Sequence, residues 1–255
     1  MFRGIYNGIS AMLVQEAKVD VSANNLANAS TSGFFKNIVT EKAVPKGELV
    51  REEKPSNAAG NEKPVGESYL SVVVSETALD TTPGPVKNTG NPLDCAINGR
   101  GFFQLSDGQN LYYTRSGSFA IDSEGRIVNP RGLYLIGEGG PIEIGDASEV
   151  EIREDGSVVA DGEVVDAIAI FDFENPSFLR RMGKNVFSAT QGSGAPIPVA
   201  REDVSLATRA LEGSNVNVVE EMARLIEASR AYEAASKSFE SGNETAKKMI
   251  ETFGV

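Results

Sequence analysis

The stretch Ala-Asn-Asn-Leu-Ala-Asn-Ala-Ser-Thr-Ser-Gly-Phe-Phe-Lys, residues 23–36, marks the end of one predicted helix and the start of a different kind of chain. Within it, Asn28, Ser30, Thr31 and Ser32 supply turn-forming side chains, and Gly33 after them tolerates positive φ. Such a combination ends helices. We therefore predict a helix over residues 3–29 that stops within this stretch.

Upstream of this stretch, apolar residues recur every seven positions in two rows, spaced alternately by four and three residues. Only Glu16 interrupts the apolar stripe. A repeat of this kind is typical of a helix that packs along another helix. The first row contains Ile5, Met12, Val19 and Leu26, and the second contains Ile9, Glu16 and Ala23.

The C-terminal segment, residues 217–252, follows the same seven-residue pattern over a longer span. Asn217, with Glu220 three residues later, matches a capping box, in which the Asn side chain accepts a backbone N–H and the Glu side chain reaches back. The helix is therefore predicted to start at Asn217. One row contains Val218, Leu225, Tyr232, Phe239, Ala246 and Phe253, and its partner row contains Met222, Ser229, Ser236, Asn243 and Ile250.

Between the two segments the helical period disappears, and short apolar runs separated by Gly, Asp, Asn and Pro predict β-strands. Asp155-Gly156 predicts a hairpin, because both positions can take the positive φ of a tight primed turn. The predicted strands are residues 69–75, 93–97, 102–105, 111–115, 117–121, 126–128, 134–136, 142–144, 150–153, 157–160, 164–173 and 185–188.

The expected fold is mainly β with terminal α-helices, in which the N- and C-terminal helices pair as a coiled coil and bracket a β-rich inserted domain. Residues 40–66 are rich in Glu, Lys, Pro, Asn and Gly, so we expect a solvated linker or edge excursion there. A second break follows at residues 192–196. The expected division is 1–39 and 201–255 for the helical parts of a core domain and 67–200 for the β-rich domain.

Composition excludes several classes of protein. The net charge of −12 would repel a polyanion, and no stripe of Lys and Arg offsets it, so a nucleic-acid partner is not expected. The longest apolar run, residues 164–173, is too short to cross a membrane. Residues 1–7 do not lead into an apolar signal sequence, so we expect no cleaved secretory signal. The single cysteine, Cys95, is predicted to be a buried apolar residue.

No catalytic, cofactor-binding or metal-binding residues are predicted. The chain has no histidine, which removes the side chain best suited to proton transfer near neutral pH and to zinc binding. Residues 98–103 are similar to a phosphate loop only superficially, because strand-like residues follow them. Glu151, Glu154 and Asp155 are candidate acids and bases, but their spacing defines no working pair, and a solvated hairpin tip is the preferred interpretation.

Three regions together resemble one protein family. Residues 23–36 closely resemble the ANNLANxxTxGFK signature of bacterial flagellar rod and hook proteins, except that Phe34 and Phe35 both precede Lys36. The run Leu-Glu-Gly-Ser-Asn-Val-Asn-Val-Val-Glu-Glu-Met at 211–222, with Arg-Ala-Tyr-Glu at 230–233, is similar to the matching C-terminal signature. The middle agrees with the rod-protein pattern at residues 84–85, 89–94, 96–97, 101–103 and 113–119.

The resemblance implies a structural subunit of the basal-body rod, the drive shaft that transmits torque from motor to hook, and not an enzyme. It implies that the partners are copies of itself, other rod proteins and the flagellar type III export machinery, which exports the chain from the cytoplasm into the periplasm-spanning rod. Within the family, the modest length and the short charged segment after the first signature favour the proximal-rod members. The distal-rod members are the second candidate. The rival is a β-rich carbohydrate-binding or carbohydrate-active protein, which the absence of tryptophan disfavours.

The residues expected to make assembly contacts belong to the two helices. The amides of the asparagines near the end of the first helix either terminate the helix or bond to a neighbouring subunit, and both readings stay open. The expected assembly residues are Ile5, Ile9, Met12, Val19, Asn24, Asn25, Leu26, Asn28, Val218, Met222, Leu225, Tyr232, Phe239 and Ile250.

Overall fold

An α-helix stands at each end of the computed structural model, which describes residues 2–51, 63–145, 147, 149–183 and 185–253. Helix α1 covers Phe2–Ala27 and helix α2 covers Val218–Phe253. Both predicted helices are confirmed, and α2 begins directly after the predicted capping residue Asn217. Between the helices the described chain is mostly strand and loop, which confirms a β-rich fold with one helix at each end.

The chain divides into two compact units. The first consists of Met1–Asn24, Ile38–Thr77 and Val219–Val255. It contains most of both helices and most of the strand pair β1 (Asn37–Arg51) and β2 (Lys63–Leu79), which form a two-stranded sheet. The second unit consists of Asn25–Asn37 and Ala78–Val218 and contains the remaining strands.

The second unit is built from short strands, and the paired strands within it run antiparallel. In chain order they are β3 Val86–Asn88, β4 Cys95–Ile97, β5 Phe102–Ser106, β6 Leu111–Thr114, β7 Ala120–Ile121, β8 Ile127–Val128, β9 Tyr134–Leu135, β10 Val150–Ile152, β11 Ser157–Ala160, β12 Glu163–Ala167, β13 Ile170–Asp172, β14 Arg180–Arg181, β15 Val186–Ser188, β16 Ile197–Pro198, β17 Leu206–Thr208 and β18 Ala210–Glu212.

Strand β5 is central to the largest sheet, whose order is β14-β15-β6-β5-β9-β8-β7. Strand β13 pairs with the first half of β5 and with β16, and β10, β11 and β12 form a separate sheet. Two smaller pairs, β4 with β17 and β3 with β18, bring residues 206–212 back beside residues 86–97. These pairs attach the segment that precedes α2 to the beginning of the β-rich unit.

Both faces of β5 are covered by apolar side chains. Phe103 and Leu105 lie in the larger core cluster, whereas Phe102, on the opposite face, lies in an aromatic cluster. Tyr113 and Phe173 meet edge to face in that cluster, with ring centroids 4.9 Å apart. The complete aromatic cluster contains Phe35, Leu79, Phe102, Tyr113, Phe173, Leu179 and Phe187. Cys95 is fully buried, as predicted.

The hairpin predicted at Asp155-Gly156 forms between β10 and β11, but its turn differs from the prediction. Only Gly156 has positive φ, at 80°, and Arg153 N–H donates to the Ser157 carbonyl across the loop at 2.9 Å. This is a three-residue loop that ends in a glycine, not a two-residue primed turn. The primed geometry occurs at Asp161-Gly162, between β11 and β12, where φ is 48° and 90°.

Other segments also differ from the expectation. The run 164–173 is divided between β12 and β13, and residues 142–144 contribute only isolated bridges. For residues 40–66 we expected a solvated linker or edge excursion; the described parts belong to β1 and β2, which is not a linker, while residues 52–62 lie outside the described chain. The reason is that two strands can satisfy each other's backbone hydrogen bonds without the alternation of apolar residues that a buried sheet face requires.

A buried ion pair joins distant parts of the sequence in the second unit. The side chains of Arg115 and Glu212 are each 2% exposed, and Arg115 Nε donates to Glu212 Oε2 at 2.5 Å. Glu212 Oε1 accepts from the backbone N–H of Gly84 at 2.9 Å, and the Glu212 carbonyl accepts from Gly33 N–H at 2.8 Å. The terminal guanidinium nitrogens donate to the carbonyls of Ile97, Gly99 and Gly101.

This arrangement, which we call the Arg115 clamp, also explains the loop that superficially resembles a phosphate site. A phosphate loop points backbone N–H groups at an anion. Here the carbonyls of Gly99 and Gly101 point at the cationic side chain of Arg115 instead. The loop therefore binds a positive charge from its own chain.

We expect Glu212→Gln to destabilise the β-rich unit strongly, because it leaves the Arg115 guanidinium buried without a counter-charge. Breaking one partner of a buried pair costs about 3–5 kcal/mol. The matched control is Glu151→Gln, since Glu151 pairs with Arg209 at 3.0 Å with both side chains about half exposed. An exposed pair contributes at most about 1 kcal/mol. Denaturant unfolding measures both, and equal midpoints for the two variants would contradict the role of the clamp.

Candidate assembly site

The described apolar rows of α1 are only partly buried in the single chain. Met12, Val19 and Leu26 are half-buried, and Ile9 is 40% exposed. The side chain of Ile5 lies outside the described residues. The exposed fraction of Leu13, which belongs to neither row, reaches 58%.

The most buried side of α1 is not the side that carries the two apolar rows. Val14, Ser22 and Asn25 are its most buried residues, at 3%, 6% and 1% exposure. At 3.6 residues per turn, they lie roughly a third of a turn away from the row of Met12 and Val19. Helix α1 therefore keeps an apolar face that the fold of one chain does not fully cover.

Helix α2 also carries two apolar faces. Leu225, Tyr232 and Phe239 are half-buried, and they share a face with the buried residues Glu221 and Ala228. This face keeps the four-and-three spacing, but its second row runs through Glu221 and Ala228, one position before the expected Met222 and Ser229. The side chain of Ile250 lies outside the described residues.

The second face of α2 is exposed. Val219 is 76% exposed, Met222 50% and Ile226 52%, and Val218 at the helix start is 43% exposed. Positions 219, 222 and 226 are spaced by three and four residues, so they lie along one side of the helix. We call these three residues the α2 outer stripe.

Helices α1 and α2 approach each other at Gly8 and Phe239. A Cβ placed on Gly8 would lie 3.6 Å from Phe239 Cβ, which is ordinary van der Waals contact. At this point the bulky aromatic side chain lies over the glycine.

Asn25 ties the last turn of α1 to the chain that follows it. Its side-chain nitrogen donates to the Asn37 carbonyl at 2.9 Å, and its side-chain oxygen accepts from the Asn37 N–H at 2.9 Å. The amide thus pairs with one residue as a neighbouring β-strand would. Of the other expected asparagines, Asn24 is exposed, and half-buried Asn28 accepts from Thr31 Oγ1 at 3.3 Å.

A second asparagine makes an equivalent contact from the C-terminal side. Asn215 Oδ1 accepts from Lys36 N–H at 2.8 Å, and Asn215 Nδ2 donates to the Asp80 carbonyl at 2.8 Å. Lys36 Nζ lies 3.2 Å from Asp80 Oδ2, and hydrogen bonds from Thr82 and from Lys36 hold the pKa of Asp80 below its usual value against the effect of partial burial. Successive backbone N–H groups, at residues 36 and 37, are therefore bound by asparagines from the two ends of the chain.

Both phenylalanines of the N-terminal signature are buried. Phe35 belongs to the aromatic cluster, and the Arg181 guanidinium lies 4.3 Å above the ring of Phe34. Arg181 Nη2 also donates to the Phe35 carbonyl at 2.6 Å, and Asn185 Nδ2 donates to the Ser32 carbonyl at 2.7 Å. Burial lowers the pKa of Arg181 to about 10. The extra phenylalanine is therefore accommodated beneath an arginine.

Two of the three candidate acids and bases, Glu151 and Asp155, are engaged in other contacts. Glu151 pairs with Arg209, and Asp155 accepts hydrogen bonds from Ser157 that lower the pKa of its carboxyl group. Glu154 is exposed. Burial raises the pKa of the Cys95 thiol far above its usual range. Within the described ranges, no group of three or more acidic or cysteine side chains is placed to hold a metal ion.

Sequence reasoning missed the Arg115 clamp and the Asn215 contact. Their signal was present, because Glu212 and Asn215 lie in the C-terminal signature and Arg115 lies in the similar middle region. The pattern does not indicate which of these residues contact each other.

Among the helices that the structure describes, none has the length and apolarity needed to cross a membrane.

Comparison with known proteins agrees with this arrangement of signatures. Residues 5–34 match the family described as flagella basal body rod protein, and residues 96–160 match the flagellar hook protein FlgE/F/G D1 domain. Residues 207–252 match the flagellar basal body rod FlgEFG protein C-terminal family. The matches contain Asn25, Arg115 and Glu212.

Curated relatives align along nearly the whole chain. The flagellar basal-body rod protein FlgG of Bacillus subtilis (strain 168) is 32% identical, with 98% of each chain covered. FlgG of Buchnera aphidicola subsp. Acyrthosiphon pisum is 34% identical over 92% of this chain and 94% of the relative. FlgF of Caulobacter vibrioides is 32% identical over 100% of this chain and 99% of the relative. The chain described here therefore belongs to the flagellar basal-body rod protein family.

Proposed function

We propose that this rod subunit assembles through the faces of its terminal helices that stay exposed in a single chain. The observation that carries the proposal is the α2 outer stripe, Val219, Met222 and Ile226, each at least half exposed on a helix whose opposite side is partly buried. Complete burial of one such side chain is worth roughly 1.5–3 kcal/mol. Burial of the three stripe residues of every copy would therefore supply a large driving force, from which the entropy of association is subtracted.

The paired-helix arrangement is part of the same proposal. The contact of Gly8 with Phe239 and the half-buried row of Leu225 and Tyr232 support a coiled-coil pairing of α1 with α2. Pairing would use one apolar face of each helix. The remaining faces would then be free to contact copies of this chain and other rod proteins.

The finer parts of the proposal follow from the family resemblance. The helical parts of the chain, 1–39 and 201–255, would form one core domain and residues 67–200 the β-rich domain. The chain would leave the cytoplasm through the flagellar type III apparatus without a cleaved signal and act in the periplasm-spanning rod, with no membrane insertion and no nucleic-acid partner. Its modest length favours the proximal rod, with the distal rod as the second candidate.

A structural role without catalysis is also proposed. It is supported by carboxylates that are occupied in ion pairs, such as Glu151 with Arg209, and by a thiol at Cys95 that is fully buried. The rival carbohydrate-binding function has no specific observation in its favour.

Asn25 is proposed to act within its own subunit. Its side chain is 1% exposed and both of its polar ends are engaged by Asn37, so it fixes where α1 ends and how the chain leaves it. A side-chain amide can donate and accept at once, as these two contacts require.

We expect Ile226→Asp to prevent assembly while the free chain stays folded, because a charge in the α2 outer stripe would have to be buried between subunits. The matched control is Ala234→Asp on the same helix, an exposed position outside the stripe. Circular dichroism checks the fold, and sedimentation of assembled rods checks association. Normal rods built from the Ile226→Asp chain would contradict the proposal.

Asn25→Asp should destabilise the chain by about 2–3 kcal/mol, because a carboxylate cannot donate to the Asn37 carbonyl, which loses its hydrogen bond beside a buried negative charge. Asn24→Asp is the control, since it places the same charge one residue earlier at the same helix end, where the side chain is exposed. We expect a change near about 0.5 kcal/mol for an exposed site of this kind. Thermal or denaturant unfolding measures the stability of both variants. Equal losses of stability would contradict the role of Asn25 in fixing the end of α1.

Amide hydrogen exchange should show that α1 and α2 exchange much faster in the free monomer than in the assembled rod. The reason is that isolated helices with partly covered apolar faces are marginal in water. The core strands β5 and β6 serve as the internal reference, because they should be protected in both states. Strong protection of both helices in a verified monomer would contradict this expectation.

A further inference from the structure

The loop of the Arg115 clamp contains a chemically labile pair of residues. Asn-Gly pairs occur at Asn7-Gly8 and at Asn98-Gly99. Asparagine in this setting deamidates readily because the backbone nitrogen of the next residue attacks the side-chain carbonyl carbon, and glycine has no Cβ to obstruct the approach. The two pairs lie in different surroundings, so their fates should differ.

Asn98-Gly99 lies in an exposed loop between β4 and β5. Gly99 has φ of 106°, and a Cβ placed on it would meet nothing within 4 Å. In the part of the chain that the structure describes, no hydrogen bond involves the Gly99 N–H, the attacking group. Asn98 Nδ2, the group that must leave, donates to Ser205 Oγ at 3.2 Å, which is its one hydrogen bond to a described residue.

Asn7-Gly8 lies inside α1. In a helix the N–H of each residue bonds to the carbonyl four residues earlier, and the helical backbone holds that nitrogen away from the preceding side chain. The reaction therefore requires the helix to open first. While α1 is formed, Asn7 should be protected.

We propose that Asn98 is a site of spontaneous, water-dependent deamidation in the folded protein. The Gly99 nitrogen forms a bond to Asn98 Cγ, its proton passes to solvent, and the bond from Cγ to Nδ2 breaks with release of ammonia. Water then opens the cyclic imide at either carbonyl. One product is aspartate, and the other is isoaspartate, in which the main chain runs through the side-chain carbon. No oxidant or enzyme is needed.

Isoaspartate at this position would act on the Arg115 clamp. The Gly99 carbonyl accepts a hydrogen bond from Arg115 Nη2 at 2.5 Å, and the Gly101 carbonyl accepts another. An extra backbone carbon directly before Gly99 lengthens the loop and displaces the Gly99 carbonyl. The clamp would lose an acceptor for a buried guanidinium, so the modified chain should unfold more easily.

The test is an incubation of the purified full-length chain at mildly alkaline pH, with a second sample unfolded in denaturant. Peptide mapping by mass spectrometry and isoaspartate methyltransferase labelling follow Asn7 and Asn98 separately. We expect folded and unfolded chains to modify Asn98 at rates within about tenfold of each other, and Asn7 to be slowed only to the extent that α1 is formed in the free chain. If Asn98 survives in the folded sample while the unfolded sample converts, the proposal is overturned.

Two variants test the effect on the clamp. Asn98→Gln removes the five-membered ring closure, so its unfolding midpoint should not fall during the incubation. Asn98→Asp adds the charge without the extra backbone carbon, and freshly purified it should unfold close to the unmodified protein. If aged Asn98→Gln loses as much stability as aged parent protein, or if Asn98→Asp already shows the full loss, isoaspartate is not what loosens the clamp.

Discussion

The β-rich unit depends on the burial of the charged Arg115 side chain. Because water does not reach this charge, the Glu212 carboxylate and the surrounding backbone carbonyls must stabilise it. Arg115 and Glu212 are each 2% exposed, so neither is solvated by water. A buried pair of this kind is not a strong source of stability, but leaving it incomplete is costly. The segments around Gly33, Gly84 and Gly99, which complete the hydrogen bonds of the pair, must therefore all pack against it in the folded chain. The clamp thereby specifies how segments far apart in sequence meet.

Glycines allow this meeting because the backbones approach too closely for side chains. A Cβ on Gly33 would lie 2.4 Å from Ser116 N, and one on Gly117 would lie 1.6 Å from the Cys95 carbonyl oxygen. Gly33 also needs its positive φ of 65°. Any larger residue at these positions would push the segment around Arg115, which follows β6, away from its neighbours. Contacts within one subunit therefore explain why glycine stands at these positions of the signature regions.

Much of the fold could be predicted because it depends on local periodicity. The two helices follow from the seven-residue repeat, and most strands follow from short apolar runs between turn residues. The Asp155 turn was assigned the wrong type because a dipeptide does not determine how many residues separate two strands. The second row of the inward face of α2 lies one residue before the expected one, at Glu221 and Ala228, because Glu221 is buried although it is charged. The contacts of Asn25, Asn215 and Arg115 could not be predicted, because they join residues whose proximity exists only in the folded chain.

The two units differ in how their apolar side chains are covered. The β-rich unit encloses two hydrophobic clusters and pairs the buried charge of Arg115 with Glu212. The terminal helices leave Ile9, Leu13 and the α2 outer stripe in water. With a net charge of −12, free copies repel one another at long range, whereas apolar stripes attract only at contact. If subunits assemble through these stripes, as proposed, association becomes favourable only where several stripes meet in register at once, which is a condition for an ordered rod rather than for a random encounter.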